Sequence, residues 1–177
     1  MMQTNAVIEN ILTRRSIRSF EDRRIPRADL ELIAKAGQYA PSAMNRQSFQ
    51  ITVVQNEEII KKLYTAVPKY MQGIDPTTYC FYGSKNLMLI SDLADKEIGQ
   101  MDCACVAENI FLAAHSLGIG SVWVNQLRDT SDGPEVRAAL HEAGVPDDHR
   151  VWVIAALGYP TAPAAEKEKV AKIHFCE

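Results

Sequence analysis

Between Thr13 and Arg24 the chain places Arg14, Arg15, Arg18, Arg23 and Arg24, with Arg27 close behind, in a protein whose formal net charge is -3. Guanidinium groups crowded in this way repel one another unless an anion lies among them. Glu21 and Asp22 stand beside Arg23 and Arg24 and are expected to neutralise them, which leaves Arg14, Arg15 and Arg18 in search of a counter-charge. A phosphate meets that need, because a guanidinium fork binds two phosphate oxygens at once and Ser16 can add a hydroxyl. The competing reading is a solvated basic cluster on the surface.

A second constellation is "PSAMNRQ", residues 41–47. Asn45 and Gln47 each carry a donor and an acceptor, which suits a ligand edge of alternating carbonyl and N–H groups, as on a pyrimidine-type ring. Ser42 and Asn45 could instead simply cap a helix. Other chemistries find little support. His115, His141, His149 and His174 are scattered, with neither HExxH spacing nor a nucleophile motif beside them. The chain has no GxSxG elbow and no Walker loop. "GIGS", residues 118–121, leaves a helical pattern and enters a strand-like one, the reverse of a phosphate-cradling glycine loop. Cys80, Cys103, Cys105 and Cys176 are too few for a disulfide scaffold, and the side chains of Cys103 and Cys105 diverge on a helix, so reduced thiols and no metal are expected.

The elements that must position these residues follow from periodicity. Val7, Ile8, Ile11 and Leu12 give a first helix behind Thr4 and Asn5, ending about Thr13, so the arginine stretch begins at a helix exit. A second helix starts at Pro26, carries Leu30, Ile33 and Ala34, and fails between Gly37 and Pro41. Residues 49–55 alternate as a strand, and Asn56 caps the helix after it. Residues 68–83 form a surface excursion of the kind that shapes a pocket. "NLMLISDL" is a buried strand, and residues 96–117 form a long helix whose second half is apolar almost all round, suited to a domain centre or another subunit. Gly118 stops that helix; "IGSVWV", a helix through Glu135 to Ala143 and the strand "RVWVIAALGYP" follow. The last seventeen residues read as an extended surface tail available to pair with another chain. Without strict βαβ alternation, the expected class is α+β with a four- or five-stranded sheet.

Length, composition and charge are consistent with this order. At 177 residues, with 47% hydrophobic and 23% charged residues, one domain over 1–177 is expected. No apolar run approaches a bilayer span and the first ten residues lack the features of a secretory signal, so a soluble, cytoplasmic protein without membrane partners is expected. A sequence pI near 5.8 disfavours nucleic acid unless the arginines share one face.

Taken together, the motifs resemble the nitroreductase family of FMN-dependent oxidoreductases. "RRSIRSF" (14–20), "APSAMNRQ" (40–47) before a strand, "FYGSK" (81–85), "DCACVAENIFLAAHSLGIGSVW" (102–123) and "GYP" (158–160) stand in the family's order. The resemblance implies a nitroreductase-like fold, with a central, mostly antiparallel sheet flanked by helices. It also implies an intertwined homodimer, with two FMN sites at the interface built from both chains. By this likeness Arg14, Arg15 and Ser16 hold the phosphate and ribityl chain, and Arg18 reaches the pyrimidine side of the ring. From the other subunit Pro41, Ser42, Ala43 and Asn45 line the ring, with Gln47 supporting their loop. Val124, Asn125 and Gln126 lie near flavin N5, and Lys167 and Lys169 match late basic residues at the phosphate.

Similar enzymes pass a hydride from NADH or NADPH through flavin N5 to nitroaromatic, quinone or related acceptors in ping-pong fashion. No dedicated catalytic side chain is implied. A specialised flavoenzyme of the same fold (an enone reductase or a dehalogenase) and a non-catalytic flavin-binding protein are the alternatives. Two departures from the family pattern stand out: Ser84-Lys85 replaces Ala-Pro, and Asn125-Gln126 is bulkier and more polar than a glycine there.

Overall fold

A computed structural model describes residues 4–75 and 80–177. Four strands form one antiparallel sheet in the order β1-β2-β4-β3: β1 is Gln50–Val54, β2 Asn86–Leu93, β3 Gly120–Val124 and β4 His149–Gly158. The helices are α1 (Ala6–Thr13), α2 (Arg27–Gln38), α3 (Glu57–Ala66), α4 (Glu97–Ser116), α5 (Gln126–Thr130) and α6 (Pro134–Glu142). An α+β fold with a four-stranded sheet is thus observed. The expected elements are all present, and α5 is an addition: at five residues it is too short to show an apolar period. Part of the 68–83 excursion, residues 76–79, lies outside the described residues.

The two central strands, β2 and β4, are buried almost throughout because each face of the sheet is covered. Leu87 and Leu89 of β2 join Leu63, Val136 and Leu140 on the α3/α6 side, while Met88 and Ile90 join Ile33, Val106 and Ile110 on the α2/α4 side. This division follows the period-two alternation of a strand. In β4 it is shifted once: Ile90 faces Val153 but Ser91 faces Val151, leaving Trp152 as a bulge. The bulge turns Val151 and Val153 to opposite faces although they are two residues apart. Each fully buried Leu or Ile contributes about 1.5–3 kcal/mol relative to exposure, so polar substitution in either layer is expected to be severe.

Capping agrees with the sequence. The Asn5 side chain accepts from Ile8 N at 3.0 Å and that of Asn56 accepts from Glu58 N at 2.9 Å. The α4 helix ends as Gly118 takes φ +72°, with Ile119 N donating back to Ala114 O at 2.9 Å. The α1 helix differs from the others. It is tied to α4 where Asn10 Nδ2 donates to Leu112 O at 2.9 Å, yet it has no buried residue, and Val7 and Leu12 are 66% and 59% exposed. Beyond Pro160 the chain has no regular structure, and Val170, Ile173 and Phe175 of the tail are exposed.

Candidate active site

The segment after α1 crosses the end of the sheet and is fixed there by backbone contacts. Ile17 N donates to Ser121 O at 2.9 Å, Ser16 bridges Ser121, and Phe20 bridges Pro160. The approach is close enough to need two glycines. A Cβ on Gly120 would lie 2.8 Å from Ile17 Cγ1, and one on Gly158 would lie 2.8 Å from Phe20 Cβ.

This anchoring sets Arg14 and Arg15 in the wall of a cavity of about 330 Å³, together with Thr13, His115, Ser121 and Pro160. Both guanidiniums are half-buried and their ion pairs are loose: Arg14 Nε stands 3.8 Å from Glu108 and Arg15 NH2 3.9 Å from Glu166. Arg14 also lies 5.9 Å from the Phe111 ring, and Arg15 NH1 donates to the carbonyls of Leu12 (2.6 Å) and Arg14 (2.8 Å). His115 completes the wall. The single proton of the Thr13 hydroxyl goes to Glu9 O at 2.7 Å, so the 2.9 Å contact with His115 is an Nε2–H donating to Thr13 Oγ1. Burial, then the Arg14 and Arg15 guanidiniums, holds the imidazole below its ordinary pKa. The cavity therefore offers two fixed cations beside a neutral histidine, an arrangement suited to a phosphate.

The loop at 41–47 is a separate construction. It makes a single 3-10 turn, Ala43–Asn45, and Met44, Asn45 and Gln47 all take positive φ, at 51°, 53° and 50°. Such backbone is uncommon for non-glycine residues and costs about 1–3 kcal/mol per residue, so neighbouring contacts must hold it. They are present: Gln47 N donates to Ser42 Oγ at 3.1 Å, and Gln47 Nε2 donates to Asn45 Oδ1 at 2.8 Å. Ala43 N donates to the Asp102 carboxylate at 3.0 and 3.2 Å, and Ser48 Oγ donates to Asp92 Oδ2 at 3.2 Å. Ser42 thus braces the loop and makes no side-chain helix cap. Asn45 and Gln47 face a second cavity of about 540 Å³ with Gln38, Tyr39 and Phe49.

The remaining candidates are distributed as follows. Pro41 and Asn45 are exposed, and Ser42 and Ala43 are half-buried in the same loop. Val124 is buried, with its side chain in the α3/α6 core layer and its backbone opposite Ile154 of β4. Asn125 is exposed, with its side-chain oxygen accepting from the Trp123 indole N–H. Gln126 opens α5 and its Oε1 is buried without a hydrogen-bond partner among the described residues. Ser16, Arg18, Lys167 and Lys169 are exposed and do not line the arginine cavity. Within one chain, then, Arg14 and Arg15 share a cavity with the Ser121 end of β3, and Asn45 and Gln47 share another. The two cavities have no lining residue in common.

Three assignments need correction or addition. Arg24 donates to Glu57 at 2.9 Å and Arg23 lies 4.0 Å over the Tyr159 ring, so neither is neutralised by Glu21 or Asp22. Asp22 pairs with Lys85 instead, which gives the Ser84-Lys85 departure a role: Ser84 Oγ donates within the β2/β4 edge while the ammonium ties β2 to the arginine segment. Asp102, Asp92, Glu108 and His115 were missed as site residues. Asp102 and His115 lie within the motif 102–123, but only tertiary contacts show what they hold.

The sequence pattern of the Nitroreductase family matches residues 11–79 and 79–159. A protein of Archaeoglobus fulgidus described as a putative NADH dehydrogenase/NAD(P)H nitroreductase is 35% identical, over 86% of this chain and 84% of its own. A crystal structure of a nitroreductase with bound FMN from Bacteroides fragilis is 41% identical, covers 98% of this chain and 100% of its own, and superposes with a TM-score of 0.87. A second FMN-bound nitroreductase, from Desulfitobacterium hafniense, is 25% identical over 99% of this chain and 100% of its own, with a TM-score of 0.86. With the motifs in order on this fold and the pattern matched over most of its length, the chain belongs to the Nitroreductase family.

Proposed function

We propose that the chain is an FMN-dependent oxidoreductase that draws electrons from NADH or NADPH, passes them to nitroaromatic, quinone or similar small acceptors, and works as a homodimer of one-domain subunits. The observation that carries this reading is the pair of half-buried guanidiniums, Arg14 and Arg15, that wall one cavity with no carboxylate nearer than 3.8 Å. The relatives with bound FMN supply the class of ligand. The donor set fits a phosphate dianion, since charge-assisted forks and a hydroxyl are what such a group needs.

When bound, FMN supplies the two-electron chemistry, receiving a hydride from the nicotinamide and giving it to the acceptor. The protein's part is to bind and orient. Arg14 and Arg15 hold the phosphate, with Ser16 adding its hydroxyl from the segment pinned on β3. Arg18 is exposed, and among the described residues its guanidinium has no partner, so it is free to reach the pyrimidine side of the ring, where a fixed cation favours added negative charge. The backbone at Val124, Asn125 and Gln126 offers N–H groups, with Asn125 steadied by Trp123. Pro163 and Ala164 of the tail line the same cavity and Glu166 stands 3.9 Å from Arg15, so Lys167 and Lys169 follow directly after the stretch that passes it.

The ring is lined by Pro41, Ser42, Ala43 and Asn45 of a second copy, their loop braced by Gln47. Two features support the pairing. The loop and the arginine cavity attach to α4 near Asp102 and His115, thirteen residues and about 20 Å apart by helix rise. The apolar faces of α1 and of the tail, including Leu12, Ile173 and Phe175, are uncovered in one chain.

The test is to purify the protein, record its visible spectrum, and add NADH or NADPH without oxygen. Flavin bands that bleach and then recover with a quinone or nitroarene are expected. A colourless protein that takes up no FMN would overturn the reading, and bound flavin that neither nicotinamide bleaches would make the protein a flavin carrier.

A further inference from the structure

We infer that Asp102, seconded by Asp92, is a positioning residue for the flavin-lining loop: buried carboxylates clamp the two ends of a strained segment and fix its place on the protein. The inference rests on the assignment of that loop to the flavin ring. Three of the residues from Met44 to Gln47 sit at positive φ, and hydrogen bonds inside the loop join only its own members, Ser42 to Gln47 and Asn45 to Gln47. Such internal bonds can shape a loop but cannot fix its place on the protein. The outward attachments run to two acids on different elements. Asp102, on the second turn of α4 and 7% exposed, accepts the Ala43 amide with both oxygens, at 3.0 and 3.2 Å. Asp92, near the end of β2 and 1% exposed, accepts the Ser48 hydroxyl at 3.2 Å and the Leu93 amide at 2.7 Å.

The two acids belong to one buried locus. Burial pushes the Cys103 thiol up, and the charges of Asp92 and Asp102 add to that, so Cys103 is an inert neighbour. Gly99 is what lets α4 come this near: a Cβ there would lie 3.0 Å from Asp92 Cβ. A buried carboxylate is costly unless hydrogen bonds satisfy it; for Asp102 the satisfying group is the Ala43 amide of the loop, while Asp92 divides its oxygens between the Ser48 hydroxyl and the amide of its neighbour Leu93. Loop placement and carboxylate burial therefore stabilise each other. The chemistry also explains why an acid is placed at 102: the group to be held is a backbone N–H, and a charged acceptor holds it about twice as strongly as a neutral one.

The experiment compares D102A, D102N and, as a control for stability alone, I154V, whose side chain belongs to the opposite core layer. FMN affinity, the visible circular dichroism of the bound flavin and amide exchange at Ala43 are measured on the full chain. D102A, lacking any acceptor, is expected to weaken FMN binding about tenfold and to speed Ala43 exchange by at least as much. D102N keeps one acceptor oxygen and is expected to recover most of both, with the flavin dichroism of the wild type. I154V is expected to lower the unfolding midpoint without moving either. Loss of affinity in D102A with Ala43 exchange unchanged, or equal losses in D102A, D102N and I154V, would overturn the clamp. If wild-type protein takes up no FMN, the flavin reading fails by itself. The clamp is then still decided by Ala43 exchange, which D102A must accelerate clearly more than D102N does.

Discussion

Arg14 and Arg15 share one twelve-residue stretch with Arg23 and Arg24, yet the fold treats the pairs oppositely. Arg24 meets Glu57 at 2.9 Å and Arg23 stacks 4.0 Å over Tyr159, contacts that join the segment to α3 and β4 and leave little charge unspoken for. Arg14 and Arg15 are the more buried pair, but their carboxylates stand at 3.8 and 3.9 Å on exposed glutamates, and one cavity receives both. Burial without close pairing is unfavourable in the chain alone and becomes favourable when an anion arrives. Equal residue type and near-equal sequence position thus give a pair with close partners and a pair without, and it is the second that is proposed to hold the ligand.

The comparison is broken most directly by exchanging the losses. Replacing Arg14 and Arg15 together by Ala is expected to weaken FMN binding by about a hundredfold or more, since each charge-assisted contact is worth about 1.5–3 kcal/mol. Replacing Arg23 and Arg24 together is expected to leave FMN affinity within about twofold and to lower the unfolding midpoint slightly. Titration of flavin fluorescence reads both, and equal effects would erase the distinction.

A smaller effect comes from the floor beneath the ligand pair. Gly120→Ala brings a methyl 2.8 Å from Ile17 Cγ1 and must displace the segment that carries Arg14 and Arg15. FMN affinity is expected to fall about tenfold, with a loss of about 1–3 kcal/mol in stability from overpacking. Smaller still is Lys85→Ala, which removes a surface ion pair with Asp22: a barely lowered unfolding midpoint and no change in flavin binding are expected.

The smallest effect concerns pH. His115 titrates below its ordinary value of 6.5 in the folded chain because of burial and the two arginines. As pH falls the unfolded chain takes up that proton first, so the stability His115 contributes is full above its ordinary pKa and is lost as pH drops toward the depressed one. His115→Gln is expected to flatten the acid side of the stability curve as pH falls below the ordinary histidine value of 6.5, measured by denaturant midpoints.

Much of this was legible in the sequence because it is local. The Asn5 and Asn56 caps, the Gly118 stop and the alternation in residues 49–55 each depend on neighbours within a few residues, and each stands where periodicity places it. The α5 helix was not, because five residues show no period, and the partners of Arg23 and Arg24 were not, because Glu57 and Tyr159 are distant in sequence. The same reason hid Asp102, whose partner Ala43 lies 59 positions away, and the close approach that requires Gly120. Motif order pointed to the family; only packing showed what holds the residues of each motif.

Two loops on one chain that share no cavity are here assigned to a single ligand, and complementation tests that assignment. A chain with Arg14→Ala and Arg15→Ala lacks the phosphate seat, and a chain with Ser42→Trp loses the hydroxyl that braces the loop and fills the ring seat. Neither homodimer should retain FMN. Purified heterodimers of the two should bind one flavin each and regain reduction by NADH or NADPH, because one of their two sites is then wholly wild type. Heterodimers as colourless as the homodimers, or a wild-type chain that holds its flavin as a monomer, would contradict a site built from both copies.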